Sequence, residues 1–171
     1  MDVLDAIVVL RALWENALAQ RGAGASRVEV EVYGDGVQVR DDGPGLPVHP
    51  HPRSGRSLLE VILTGPRRGP LNTLARVTRS CLWLEVRVGR DEGVYRQRYD
   101  FAAPGVLEGP LASDEGPDRG TTIRCAPAQG ELPALDALAA ELAPDLPAGL
   151  EVVLRDRRTG AELRLEGGPR A

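Results

Sequence analysis

The sequence predicts an α+β fold in which one mixed, mostly antiparallel sheet carries helices on one face. Two observations predict it. Segments with apolar residues at helical spacing open the chain and recur near residues 57–80 and 131–143, and segments with period-two alternation lie between and after them. Short turn signals join neighbouring strands, which is typical of antiparallel pairing. A chain of 171 residues is long enough to form one domain around its own core.

The first helix and the first strand pair are predicted from periodicity. Apolar residues recur at helical spacing over residues 3–20, and glycines follow that segment. Residues 27–33, RVEVEVY, alternate apolar and polar side chains and form a strand with one buried face. A hairpin turn signal, GDG, occupies 34–36, and 37–39 continue as the partner strand. A loop is expected over 48–56.

Two short helices are predicted next. Residues 57–63 form the first of them, with Ser57 as its N-cap and Glu60, three residues later, completing a capping box. Glycine and proline break the pattern over 64–70. Residues 71–80 form the second helix.

The second half of the chain is predicted to be mainly strands. Alternating apolar side chains and intervening turn residues support these strands, and alanine and leucine between prolines support one more helix. The expected elements are strands 82–88, 94–101 and 121–127, a Gly-, Pro- and acid-rich loop 103–120, a helix 131–143, and a closing hairpin 150–168.

Composition argues against several classes of protein. The formal net charge of −4 disfavours direct DNA binding, because affinity for a polyanion rests on neutralising phosphates, although it leaves room for a local arginine patch. No apolar run approaches the ~20 residues of a membrane span. The opening residues, MDVLDAIVVLRALW, lack the basic region of a signal peptide. We therefore expect a cytoplasmic protein without a membrane segment.

The cysteines and histidines are predicted to be structural. Cys81 and Cys125 fit buried thiols better than a disulfide or a metal site, given the expected cytoplasmic compartment. His49 and His51 lie in the predicted loop without a nearby cysteine, so they fit loop residues better than zinc ligands.

One short motif raises a functional question. In VRDDGPGLP, residues 39–47, Asp41 and Asp42 stand directly before Gly43 and Gly45. Taken alone, this pattern is more often a tight surface turn than a binding site. The alternative is a ligand held close to the backbone, which glycine permits because it has no side chain.

The order of several motifs resembles the GHKL ATPase superfamily, and more closely the N-terminal ATPase domain of the gyrase B and topoisomerase IV family. The resemblance implies a two-layer α/β sandwich and one domain over residues 1–171, without transducer, Toprim or DNA-cleavage domains. The stretches that carry it are WENALAQ (14–20), the strands, turn and helix of 28–64, GVYRQRYDF (93–101) with DRGTTIRCAP (118–127), and the hairpin 150–168.

The resemblance also assigns roles in an adenine-nucleotide site. It implies that Asp41 accepts a hydrogen bond from the adenine amine, that Thr121 binds beside it, and that Asn16 coordinates Mg²⁺ with the phosphates of ATP or ADP. By the same resemblance the nucleotide-binding positions are Asn16, Asp41, Gly43, Gly45, Pro47 and Thr121, with an apolar wall formed by Leu13, Val39 and Ile123.

The sequence departs from that family at the position of the catalytic base. The family has a glutamate four residues before the magnesium-binding asparagine, one helical turn away and on the same face. Here that residue is Ala12, which cannot take a proton from water. Glu15 is adjacent to Asn16, about 100° around the helix, so we expect it to point elsewhere.

The segment that closes over the phosphates in the family is shortened here. It is reduced to TGPRRGPLNTLARV, residues 64–77, in which Gly65 and Gly69 remain without the spacing of a phosphate cradle. Arg67 and Arg68 fit mobile surface charges better than specific phosphate ligands.

Two further departures concern the chain ends and the turn. We expect neither the family's N-terminal arm nor its transducer lysine in this chain. In addition, Pro44 and Gln20 replace a charge pair of the gyrase pattern, so the turn is expected to be held differently.

Three functions are compatible with these observations. The first is an adenine-nucleotide-binding regulator or sensor with little or no ATP hydrolysis. The second is a nucleotide-free module that binds a protein partner, and the third is an active ATPase related to type II DNA topoisomerases. A monomer or weak dimer is expected in each case.

Overall fold

A computed structural model describes residues 3–66, 72–115 and 118–168, which form one sheet with helices packed against it. In chain order the elements are α1 (Ala6–Ala19), β1 (Arg27–Val32), β2 (Val37–Asp41), α2 (Leu58–Thr64), α3 (Asn72–Arg79), β3 (Cys81–Arg90), β4 (Gly93–Asp100), β5 (Ala103–Pro104), β6 (Glu108–Leu111), β7 (Gly120–Pro127), α4 (Leu135–Leu142), β8 (Glu151–Asp156) and β9 (Ala161–Glu166).

The sheet is mixed and mostly antiparallel, as predicted. Within the described residues it has nine strands in the order β5-β4-β3-β7-β2-β1-β8-β9, and β6 also pairs with β4. Strands β1 and β8 pair in parallel, whereas every other pairing is antiparallel. This order places β2 and β7, which carry the motif residues, side by side at the centre.

The two faces of the sheet differ in polarity, and this difference decides where the helices pack. One row of paired residues across the central strands is apolar and buried, comprising Val86, Ile123, Val39, Val30 and Leu154. Helix α1 packs over β2 and β7 on this side, α3 over β3, and α4 over β8 and β9. Neighbouring rows carry arginine and glutamate and leave the other face polar.

Side-chain N-caps mark the first residues of helices α1 and α2. Helix α1 begins at Ala6 rather than at residue 3, because the Asp5 carboxylate caps it by accepting the Val8 N–H at 3.1 Å. Ser57 caps α2 by accepting the Glu60 N–H at 3.1 Å, as predicted. The reciprocal half of the capping box is replaced by an ion pair, in which Glu60 binds Arg56 at 2.6 Å.

The segment predicted as a loop over 103–120 contains two short strands, which corrects that prediction. Strands β5 and β6 both pair with β4, and an Arg96–Glu108 ion pair at 2.5 Å joins β4 to β6. Their glycine- and proline-rich sequence has no period-two pattern, so backbone pairing with β4 decides their conformation. Helix α4 begins at Leu135, after Pro133, rather than at residue 131.

Candidate functional site

The motif Asp41-Asp42-Gly43 lies at the C-terminal end of β2. Its two carboxylates accept hydrogen bonds from different parts of the backbone. Asp41 is only 2% exposed, and its Oδ1 accepts the Gly43 N–H at 2.9 Å. Asp42 accepts the backbone N–H groups of Ser26 at 2.8 Å and Arg27 at 2.9 Å. The Asp42 carboxylate therefore ties the turn to the start of β1, whereas Asp41 stays in the interior.

The interior position changes the acidity of Asp41. Burial raises its pKa to about 6 from an ordinary 3.8, against the opposing effect of the N–H groups of Gly43 and Thr121, and the nearby charge of Asp42 adds to the rise. The pKa of Asp42 is lowered instead: burial acts to raise it, but hydrogen bonds from Ser26 and Arg27 outweigh that effect.

Both glycines of the turn occupy places where a side chain does not fit. A Cβ on Gly43 would lie 2.8 Å from Gln20 Cβ and 2.9 Å from the Asp41 carboxylate. Gly45 has φ +80°, in the left-handed region, and its Cβ would lie 2.8 Å from Val88 Cγ1. The Gly-x-Gly pattern is therefore required by the packing of the turn against α1 and β3.

Two side chains from neighbouring strands hold the turn. The hydroxyl of Thr121, on β7, accepts the Leu46 N–H at 3.0 Å. Arg90, at the end of β3, donates to the carbonyls of Gly45 at 3.4 Å and Leu46 at 3.3 Å. Arg90 thus holds the turn from one side, and Gln20 lies so close to Gly43 on the other that no side chain fits there.

A pocket of about 480 Å³ opens between α1, the turn and the α2–α3 pair. Its volume lies within the range typical of small-ligand sites. The residues that α1 and the short 3₁₀ turn after it contribute are Ala12, Glu15, Asn16, Ala19 and Gln20. The opposite wall consists of Leu46, Pro47, Ile62, Thr73 and Leu74.

Known proteins provide an independent comparison for this geometry. The DNA gyrase B protein of Myxococcus xanthus is 34% identical over 181 aligned residues, covering 90% of this chain and 22% of that protein. The DNA gyrase B protein of Haloferax volcanii is 33% identical over 183, covering 91% of this chain and 28% of that protein. The chain thus spans about a quarter of these relatives, and no protein-family model matches it.

A solved structure has the same fold over almost the whole chain. The topoisomerase IV ATP-binding domain of Francisella tularensis, solved with a small-molecule inhibitor, superposes with a TM-score of 0.81 at 22% identity. The match covers 97% of this chain and 89% of that one. The chain is a gyrase-B-like domain of the GHKL type.

The position that the family resemblance assigns to a catalytic base is occupied by Ala12, whose methyl group borders the pocket. Ala12 lines the pocket one helical turn before Asn16 and is 6% exposed. Glu15 also borders the pocket, although its carboxylate pairs with Arg11. Its carboxylate lies 3.6 Å from Arg11 and is largely exposed, which places it at the rim.

The residues predicted to form an apolar wall do not line this pocket, and neither do Asp41, Gly43, Gly45 and Thr121. Leu13, Val39 and Ile123 are buried in the core and are not among the residues that line the pocket. The apolar lining comes instead from residues near the turn and on the short helices, namely Leu46, Pro47, Ile62 and Leu74. Helical periodicity marks Leu13 as apolar, but it does not show whether a side chain faces a core or a cavity.

Neither tryptophan fills the pocket. Trp14 is 1% exposed within the core, and Trp83 lies on the opposite sheet face, where the Arg98 guanidinium stacks 4.9 Å from its ring centre. The pocket between α1 and the turn is therefore open to a ligand. Asn16 is the carboxamide that α1 presents there.

The remaining predicted positions can be placed only in part. Arg67, Arg68 and Gly69 lie outside the described residues. Cys81 and Cys125 are free buried thiols, as predicted, and contact with Cys81 together with burial raises the Cys125 pKa. In the described part of the chain no three His, Cys, Asp or Glu residues are grouped to hold a metal, and no helix is long and apolar enough to cross a membrane.

Proposed function

We propose that this domain binds an adenine nucleotide and hydrolyses it little or not at all, as a regulator or sensor. The observation that carries the proposal is the buried Asp41 carboxylate, fixed by Gly43, at a turn that supplies Leu46 and Pro47 to an open pocket. Asp41 does not itself line the pocket, but a buried carboxylate acceptor in the turn that does line it would give selectivity for a ring that bears an amine, as adenine does.

The relatives support the choice of nucleotide. The Francisella domain is named as ATP-binding, and both gyrase B relatives extend over nearly the whole of this chain. Asn16 supplies a carboxamide oxygen to the pocket, which would be a suitable ligand for a Mg²⁺ ion bound with the nucleotide phosphates. Bound magnesium would neutralise phosphate charge. Asn16 would then position the phosphate end of the nucleotide.

The absence of a base at Ala12 supports binding without turnover. General base catalysis contributes on the order of 10²–10⁴-fold to such reactions, and a methyl group cannot take part. The rim carboxylate of Glu15 is engaged with Arg11 rather than directed at the Asn16 side of the helix. A domain that binds a nucleotide without hydrolysing it can act as a sensor, because the fraction of protein with nucleotide bound follows the nucleotide concentration.

Calorimetric titration of ATP and ADP, with and without Mg²⁺, tests this function. Wild-type protein should bind in the micromolar range, and Asp41→Asn should abolish binding while it preserves the shape of the site. Asp136→Asn, on the exposed face of α4, is the matched control and should bind like wild type. Absence of heat up to millimolar nucleotide would overturn the proposal. Turnover that disappears in Asn16→Ala would support the active-ATPase alternative.

One observation favours a second function, that of a protein-interaction module. Phe101 is 79% and Val106 81% exposed, and Phe101 and Ala102 have φ of +49° and +65° in the tight turn between β4 and β5. Large apolar side chains held outward are typical of contact sites. This function predicts a melting temperature that ATP does not change and a partner whose binding is lost in Phe101→Ser.

A further inference from the structure

The polar face of the sheet, opposite the helices, has a shallow cavity of about 320 Å³. Three adjacent central strands line it, and each contributes one arginine. We name this cavity the arginine cup and define it by Arg40 on β2, Arg87 on β3, and Arg124 with Thr122 on β7.

Strand register explains why these arginines converge. Thr122 pairs with Arg40 on one side and with Arg87 on the other, so the three residues form one row across the sheet. Neighbouring strands lie about 4.8 Å apart, which places the two arginine backbones about 10 Å apart with the small threonine between them. Arg124 stands two residues further along β7 and so points to the same face.

Carboxylates accompany two of the three arginines of the cup. Arg87 binds Glu85 through its Nε at 2.8 Å. Arg124 lies 3.9 Å from the ring centre of Tyr33, contacts Asp35 at 3.4 Å, and leaves its buried Nε without an acceptor among the described residues. No ion pair of Arg40 is found in the described part of the chain.

The arrangement favours an added anion. Arg40 has no ion pair among the described residues, so an added anion supplies a counter-charge for its guanidinium. The aromatic contact of Arg124 orients its planar guanidinium before any ligand arrives, which lowers the entropy lost on binding. The carboxylates of Asp114 and Glu85 also line the cup, where the Asp114 carboxylate competes with an incoming anion.

We propose that the arginine cup binds a small phosphate-bearing ligand, independently of the nucleotide pocket on the other face. Guanidinium groups match phosphate oxygens in paired hydrogen bonds, which favours phosphate over a simple halide. The limited volume of the cup and the net charge of −4 favour a small ligand over an extended nucleic acid.

Pyrophosphate is the probe, and its affinity is measured by calorimetry at low and at physiological salt. Arg40→Gln should weaken binding about tenfold or more, because each lost charged hydrogen bond contributes that much. Arg53→Gln removes one exposed arginine outside the cup and should change nothing. Asp114→Asn should tighten binding, because it removes the competing carboxylate. Melting temperatures show that each variant is folded.

The outcomes separate this site from the nucleotide site and from nucleic acid. Asn16→Ala changes only the nucleotide pocket, so pyrophosphate affinity should persist in that variant. Loss of pyrophosphate binding in Asn16→Ala would overturn the proposal that the cup is a separate site. An equal loss of pyrophosphate affinity in Arg40→Gln and Arg53→Gln would overturn it as well. Tighter binding of a single-stranded oligonucleotide than of pyrophosphate, lost in Arg40→Gln, would replace the small ligand with nucleic acid.

Discussion

Asp41 and Asp42 are neighbours in the chain, yet their environments shift their pKa values in opposite directions. Asp41 is buried at the end of β2, where burial disfavours its charge. Asp42 accepts three hydrogen bonds from Ser26 and Arg27, which favour its charge despite partial burial. The Asp42 carboxylate thus stabilises the turn in its ionised form, whereas the Asp41 carboxyl binds a proton more tightly than an ordinary aspartate does.

The unliganded domain should lose stability as pH rises through the pKa of Asp41. The folded protein binds this proton more tightly than the unfolded chain, since the pKa rises from 3.8 to about 6. That contribution is complete below pH 4 and lost above pH 6. The free energy of unfolding of Asp41→Asn, relative to wild type, should therefore rise by about 2 kcal/mol between pH 4 and 7. Urea unfolding at each pH measures it, and a constant difference would contradict the assignment.

Nucleotide binding should release a proton near pH 6. The adenine amine donates a hydrogen bond, so it favours the ionised form of Asp41, which must give up its proton below that pH. Affinity for ATP should fall about fivefold from pH 6 to pH 5, as the ionised fraction of the carboxyl falls. Calorimetry in two buffers of different ionisation enthalpy counts the protons directly. Equal apparent enthalpies in both buffers at pH 5.5 would exclude a coupling to Asp41.

Gly43 should not tolerate a methyl group. Its Cβ would lie 2.8 Å from Gln20 Cβ, which belongs to the rigid end of that side chain and cannot rotate away. Gly43→Ala should therefore cost about 1–3 kcal/mol of unfolding free energy and displace the turn from the pocket, which weakens nucleotide binding. Gly34→Ala is the control, because nothing lies within 4 Å of a Cβ there. Thermal unfolding compares them, and equal melting temperatures would refute the contact.

The sequence predicts the helices and strands better than it predicts which residues line the pocket. Alternation in RVEVEVY and the N-cap at Ser57 depend on neighbours in the chain, so β1 and α2 follow from local pattern. The pocket wall depends on where α3 and the turn meet α1. No local pattern distinguishes Ile62, which faces the cavity, from Leu63, which faces the core. Likewise, β6 depends on its pairing with β4 rather than on its own composition.

Thr121 should act through its hydroxyl rather than through its methyl group. The hydroxyl oxygen accepts the Leu46 N–H at 3.0 Å in a buried setting, where an unpaired N–H is costly. Thr121→Val should therefore lower the unfolding free energy by about 1–3 kcal/mol, while Thr121→Ser keeps most of it. Hydrogen exchange of the Leu46 amide reports the bond locally. Protection unchanged in Thr121→Val would show that the turn is held without it.

Ala12→Glu should raise the rate of nucleotide hydrolysis if the proposed function is correct. Ala12 lines the pocket one turn from Asn16, so a glutamate there can reach a water beside the phosphates without displacing the buried core of α1. We expect turnover to rise by on the order of 10²-fold over wild type, the lower end of what a general base contributes. Phosphate release from purified protein with Mg²⁺ measures it. Ala19→Glu places the same carboxylate elsewhere on the pocket-lining helix and should not produce turnover. If Ala12→Glu binds ATP as wild type does and releases phosphate no faster, a side chain at position 12 does not control hydrolysis, and that part of the proposal fails.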